Sequence, residues 1–371
     1  MNYNLQIKKI IPALWGVLFT AILVLGACTS PEKPVALTAT LNDALLIETK
    51  KAVEQRDEMA VEVLDSLIRQ AEIWLEMPLF SVVDKDKLPP SGDKHDYMSL
   101  SPYWWPNPDT EDGLPYIRRD GERNPEVYDY PERENTRELG RVVEALGVLY
   151  YITGDEKYAQ KASEFLKTWF LNPETRMNPN MVFAQVRPGI AQIRGTGIID
   201  ARRMIGAFNG AMLIKGSESW SADDEAQLKK WADVFAYWLE NSQQGLMEKA
   251  STNNHGVWYD VIVLTMHYYA GNNQRALEIL DEMTWNRLYA QQADNGSFPR
   301  ELERTIALHY STFVLDGFLA AAEIGRKLDF DLWSKVSDSG LSMRTAVDFV
   351  MPYYLKMQEW PYLQINPFNY N

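Results

Sequence analysis

Apolar residues recur at three- and four-residue spacing in one segment after another from residue 41 to residue 357, and that period commits the chain to helices packed on helices. In the first segment Val61, Leu64, Ile68, Ala71 and Leu75 share a face. The pattern resumes near Thr136 and runs through ITGDEKYAQKASEFLKTWFL as a short turn followed by an amphipathic helix. It then continues over 201–213, 222–239, 257–269, 274–288, 305–326 and 341–357. Strand signals are sparse. An amphipathic helix must bury its stripe against a neighbour, and short turns make successive neighbours antiparallel. The expected fold is therefore all-α, an α/α toroid in the form of an incomplete barrel of about six or seven helix pairs. No exact internal repeat accompanies the series, so the toroid rests on the succession of helices rather than on periodicity.

One long break interrupts the helices. Residues 84–130 are rich in Pro, Gly, Asp and aromatic side chains, reading KLPPSGDKHDYMSLSPYWWPNP and then PYIRRDGERNPEVYDY. An irregular stretch of that length inside a compact domain is usually functional, and Trp and Tyr are the side chains that stack on pyranose rings. Ahead of the helices, Lys8 and Lys9 precede an apolar run over 10–25 that ends in Leu25-Gly26-Ala27-Cys28. This run is shorter than the ~20 residues a spanning helix needs. It reads as a lipoprotein signal peptide over 1–27, with a transmembrane anchor as the alternative. Cys28, the only cysteine, would be the lipidated residue, so no intrachain disulfide is available. Residues 28–40 read as a tether and 41–371 as a single catalytic domain. Thr29 and Ser30 carry no acidic retention signal, which places the protein on the periplasmic or cell-surface side of an outer membrane, with the lipid as its only membrane contact.

The formal charge is −14, and −16 once Lys8 and Lys9 leave with the signal. Nucleic acid, which requires a broad basic surface, is thereby set aside as a partner. An acidic polysaccharide remains possible if the binding cleft is locally basic.

Two segments carry chemistry. Asn253-Asn254-His255 opens an apolar helix, VWYDVIVLTMHYY, and about forty residues later comes DNGSFPRELERTIALHY. Together they offer an amide, an imidazole, a guanidinium and a phenol. Elimination across a 4-linked uronate needs such a set: the carboxylate must be neutralised, the C5 proton taken and the leaving O4 protonated. At a helix N-terminus Asn254 would favour an anion and His255 would tend to stay neutral. The plainer reading makes Asn254 an N-cap and His255 a first-turn surface residue. Tyr310 shares the spacing of a buried face with Ile306 and Phe313, which also suits a core tyrosine. Six residues separate Arg304 from Tyr310, about 120° on a continuous helix. For both to meet one substrate, Arg304 must lie at or before the helix start, and a nearby guanidinium is expected to lower the phenol pKa. His267 and His309 read as packed, and Glu301 and Glu303 as solvated acids. No cluster has zinc-ligand spacing and no phosphate loop or nucleophile elbow is present, so neither metal nor cofactor is expected.

Five segments in order, GDKHDYMSLSPYWWPNP, PYIRRDGERNP, TRMNPNMVFAQVRPG, NNHGVWYD and NGSFPRELERTIALHY, resemble the sequential motifs of the alginate lyase superfamily of helical toroids. The resemblance is nearest to polysaccharide lyase family 38 and more distant to family 5, and it covers about residues 60–365. It implies that Tyr310 acts as base and acid in syn elimination and that His255 assists, serving as base when the C5 proton lies on the other face. It further implies that Asn254 and Arg304 neutralise the carboxylate and that Gln185 binds substrate, with Lys94, His95, Tyr97, Trp104 and Arg187 on the subsite wall. The implied substrate is alginate, with glucuronan as the alternative. Two other classes compete: an inverting glycoside hydrolase using two carboxylates, and a surface lipoprotein that binds glycans without cleaving them.

Overall fold

A computed structural model describes residues 36–369. Cys28, the signal segment and the first part of the tether lie outside the described residues.

The apolar pattern that begins at residue 41 forms two helices, α1 (Asp43–Glu54) and α2 (Glu58–Leu75). Arg56, at φ +60°, and the Asp57 side chain, which caps Ala60 N–H, divide them. After the irregular segment come α3 (Glu132–Thr153), stopped by Gly154 at φ +71°, and α4 (Glu156–Leu166), which ends in a π turn over Lys167–Leu171. A 3-10 stretch, Thr196–Met204, leads into α5 (Ile205–Leu213). Next are α6 (Ala222–Asn241), opened by a Ser221/Asp224 capping box, and the short α7 (Gln243–Lys249). Helix α8 (Asn254–Ala270) is buried on nearly every side, the signature of a central helix. Helices α9 (Asn273–Ile279) and α10 (Trp285–Ala290) are one rod joined by a π turn over Leu280–Thr284. The chain closes with α11 (Pro299–Leu302), α12 (Ala307–Lys327) and α13 (Met343–Tyr354).

Helices α3, α5, α8 and α12 make a continuous row in which each touches the next, with the α3–α5 and α8–α12 contacts the most extensive, and α4, α6, α9 and α13 back that row. This is the all-α toroid expected from the helical period. Close approach of α3 to the α5 region depends on glycine, because a Cβ on Gly140 would stand 2.0 Å from the Arg203 carbonyl oxygen. Most of the core lies between the two ranks, and a second cluster of Val257, Leu288, Phe298, Phe318 and Met343 joins α8, α10, α12 and α13.

Two small sheets pin the irregular segment. Strand β1 (Met98–Leu100) runs parallel to β4 (Phe183–Val186), and β2 (Trp104–Trp105) pairs antiparallel with β3 (Ile117–Arg118). The C-terminal tail is tied to the start of α12 by Ala307 N–H donating to Leu363 O and Ile365 N–H donating to Thr305 O.

Candidate active site

Two helix beginnings supply the site. Helix α8 opens at Asn254 because Asn253, in extended backbone, accepts the His255 N–H on its side-chain oxygen. The cap is thus Asn253, one residue ahead of the residue that sequence reasoning offered for that role. Helix α12 opens at Ala307, which leaves Arg304 in the turn before it and Tyr310 in its first turn. The Arg304 guanidinium carbon stands 3.7 Å from the centroid of the Tyr310 ring. Arg304 donates Nε and Nη2 to the two carboxylate oxygens of Asp120, at 3.0 and 2.7 Å, which leaves Nη1 outside that fork. Asp120 also accepts from Thr305 N–H and Oγ1, so residues 84–130 are latched to the start of the tyrosine-bearing helix.

Tyr310 is 8% exposed and its hydroxyl donates to Tyr103 at 3.2 Å. Burial, followed by the neighbouring Tyr103 phenol, holds its pKa far above the ordinary tyrosine value, and Arg304 pulls the other way without prevailing. The expectation of a lowered phenol pKa is therefore corrected: desolvation outweighs the guanidinium, whose charge is already largely answered by Asp120.

His255 reaches Glu248 of α7, Nδ1 to Oε1 at 2.6 Å, and Glu248 is 1% exposed. Burial disfavours the imidazolium, but the Glu248 carboxylate outweighs it and raises the His255 pKa. That reverses the expectation of a histidine kept neutral by the helix dipole. The Glu248 bond fixes Nδ1 and leaves Nε2 outside that contact.

Asn254 is fully buried. Its backbone N–H and its Nδ2 donate to the two oxygens of Glu301, at 2.6 and 2.8 Å, and its Oδ1 is buried without a hydrogen-bond partner. Glu301, taken for a solvated acid in the sequence, is 1% exposed, and burial raises its pKa. Glu303 is exposed, as read. Glu301 sits on α11, three residues before Arg304, whose N–H donates to the Glu301 carbonyl. One connected network therefore runs from Tyr310 through Arg304, Glu301 and Asn254 to His255 and Glu248.

The other sequence candidates separate into three places. Trp104 and Arg187 stack, with the guanidinium 4.1 Å from the ring centroid. Gln185, at φ +51°, and Tyr97 both turn inward to Asp200, through Nε2 at 2.9 Å and the hydroxyl at 3.2 Å. Tyr97 is 0% exposed, so its assignment to the wall is corrected, and the Gln185 amide is engaged by a buried carboxylate. Lys94 is exposed, and His95 bonds the Arg176 carbonyl through Nδ1 at 2.7 Å, on the loop side of the irregular segment. His267 is packed as expected, whereas His309 is exposed beside Phe313. Sequence reasoning missed Tyr103, Asp120, Glu248 and Glu301, because each is defined by a partner that lies elsewhere in the chain.

Arg133, Arg187, Arg202 and Arg203 gather near the inner row, and of these only Arg133 is ion-paired among the described residues, with Asp200 at 3.6 Å. Burial and then the neighbouring Arg203 bring the Arg202 pKa down to about 9, and burial with Arg194 and Arg118 brings that of Arg187 to about 10. Arg133 Nη1 and Arg203 Nε are buried with no hydrogen-bond partner. Arg141, Arg202, Arg203, Glu144 and Trp258 line a cavity of about 300 Å³. A larger cavity, about 560 Å³, lies at the far end of α8 among Tyr150, Tyr151, Lys215 and Tyr268, and it shares no residue with the network above.

A helical toroid that gathers a phenol, a guanidinium, an imidazole and an amide at the starts of two adjacent helices defines a class of polysaccharide lyase. The alginate lyase family model matches residues 81–360, and the chain belongs to that family. It is similar to the crystal structure of an alginate lyase from Bacteroides ovatus, with 38% identity, 90% of this chain and 87% of that chain covered, and a TM-score of 0.85. A histidine-to-alanine variant of alginate lyase A1-III, complexed with tetrasaccharide, shares the fold at 15% identity and a TM-score of 0.56, with 88% of this chain and 80% of that chain covered. Among curated proteins none matches.

Proposed function

We propose that the protein cleaves 4-linked uronate polymers, alginate in the first place, by β-elimination at Tyr310. The observation that carries this reading is the Arg304 guanidinium 3.7 Å from the Tyr310 ring and held there by Asp120. Burial and the Asp120 fork keep the resting side chain a phenol, and Arg304 is placed to favour its phenolate. In the syn case the phenolate takes the C5 proton, the C4=C5 bond forms, the C4–O4 bond breaks, and the same proton passes to O4. When the C5 proton lies on the opposite face, His255 Nε2 takes it and the neutral Tyr310 gives its own proton to O4. The raised Tyr310 pKa suits the donor half of either course. Arg304 Nη1 and the Asn254 amide are the groups that would hold the carboxylate as negative charge develops on it.

Support for an acidic polymer comes from Arg187, Arg202 and Arg203, whose pKa values burial and neighbouring arginines lower, a local cationic surplus that the Arg133–Asp200 pair does not offset in a chain of formal charge −14. The motif order favours membership of polysaccharide lyase family 38 over family 5. Mannuronate and glucuronate differ at C2 and share the arrangement of C5–H and O4, so glucuronan is the alternative substrate. The test is the ultraviolet absorbance of unsaturated ends released from polymannuronate, polyguluronate and glucuronan. Tyr310→Phe is expected to lower kcat by about 10²–10⁴ while oligosaccharide binding persists. New reducing ends without absorbance would identify a hydrolase, and binding without any cleavage a glycan-capture protein.

A further inference from the structure

The Asn254 amide, as it stands, has the wrong polarity for the task that the proposed reaction gives it. Its nitrogen is committed to Glu301 Oε2, and the atom left without a partner is the acceptor Oδ1. Lone pairs on that oxygen would repel a uronate carboxylate. Asn254 is 0% and Glu301 1% exposed, so solvent does not satisfy the amide, and its contact with a substrate carboxylate requires the groups that cover it to move aside as substrate binds. An asparagine amide is nearly symmetric in shape, and the hydrogen-bond network decides which end points where.

We propose that Glu301 is the positioning residue that sets the polarity of the Asn254 amide: in the productive complex its carboxyl is protonated and donates to Asn254 Oδ1, so that Nδ2 turns to the substrate carboxylate. This rests on the lyase reading above. In this state Oε1 still accepts the Asn254 backbone N–H, which it meets at 2.6 Å in the structure, and the orphaned acceptor gains a donor. The proton comes from solvent and stays on Glu301, so it is not part of the elimination itself. The groups facing Glu301 are Arg304 from the turn before α12 and, from α8, His255 and the Asn254 N–H groups. All of them favour the carboxylate, but burial outweighs them and raises the Glu301 pKa. Glu248 lies beyond His255 and Asp120 beyond Arg304, and each answers the charge of its own partner. An arriving uronate adds a negative charge on the Asn254 side and shifts Glu301 further toward its protonated form.

Glu301→Gln tests this, because glutamine can accept the Asn254 N–H and donate Nε2–H to Oδ1, imitating the protonated acid at every pH. The wild type should lose kcat/KM as pH rises through the Glu301 ionisation, and the variant should lack that limb. The ratio of variant to wild type would then climb about tenfold per pH unit over the range in which Glu301 ionises. A ratio that stays constant with pH overturns the proposal, since a purely structural Glu301 would scale activity without reshaping its profile. A second measurement does not need turnover. In a Tyr310→Phe background, calorimetric binding of a mannuronate oligomer is compared in two buffers of different ionisation enthalpy. Proton uptake should accompany binding and should fall when Glu301→Gln is added, while equal uptake in both proteins overturns the proposal. Glu301→Ala, which loses both contacts, should be impaired at all pH values. If an active wild type shows a flat ratio, only the role of Glu301 fails. A wild type with no elimination activity on any uronan removes the lyase reading and this one together.

Discussion

Buried partners govern each reactive side chain, and they were the least visible part of the sequence. Glu301 and Glu303 look alike in ELER, yet Glu301 is buried because its two oxygens meet two donors of a residue 47 positions earlier. Asp120 could be recognised as the partner of Arg304 only once residues 184 apart had been brought together. By contrast, His255, Asn254, Arg304 and Tyr310 could be singled out as candidates from residue type and motif order, and the structure gathers them at the starts of two helices. The Glu248–His255 contact carries a prediction for pH dependence. The raised His255 pKa means that, as pH falls through it, the imidazole takes up a proton and ceases to be a base. With Glu248→Gln, burial is left as the dominant influence and lowers the His255 pKa. The acid limb of kcat/KM on the substrate that needs His255 as base should therefore move to lower pH. An acid limb that does not move would assign it to another group.

Helices were readable wherever the 3.6-residue period persisted over three or more turns, as in α2, α6 and α12. Those that escaped notice were too short for a period to show: α7, of 7 residues, which brings Glu248 to His255, and α11, of 4 residues, which brings Glu301 to Asn254. The 3-10 stretch Thr196–Met204 was folded into a longer helical expectation, and the single pattern from residue 41 proved to be two helices. Boundaries matter most at the start of α8, where the cap is Asn253 and the first helical residue is Asn254. Because the Asn253 oxygen accepts the His255 N–H at 3.2 Å, the cap serves both the helix and the site. Asn253→Ala should lower stability by about 1 kcal/mol in urea unfolding and should also reduce kcat, since the turn carrying Asn254 and His255 loses its anchor. A normal kcat despite the stability loss would show that the networks of Glu248 and Glu301 hold the turn unaided.

At the scale of the whole molecule two fields oppose one another. A chain of formal charge −14 repels a polyanion at a distance, while Arg187, Arg202 and Arg203 attract it at close range. Screening affects the two unequally. At ~0.01 M ionic strength the Debye length is about 30 Å and the acidic exterior acts on the approaching polymer, whereas at ~0.1 M it is about 10 Å and that repulsion is largely gone. Buried arginines in a low-dielectric groove are screened much less. kcat/KM on a long uronan should therefore rise as salt increases over this range, and a short oligomer of few charges should show a weaker rise. At higher salt the polymer rate should level off and then decline as contacts in the groove weaken. Initial rates on polymer and trimer across a salt series would check this. A polymer rate that falls steadily from the lowest salt would mean that the field of the groove reaches beyond the acidic surface and steers the substrate in.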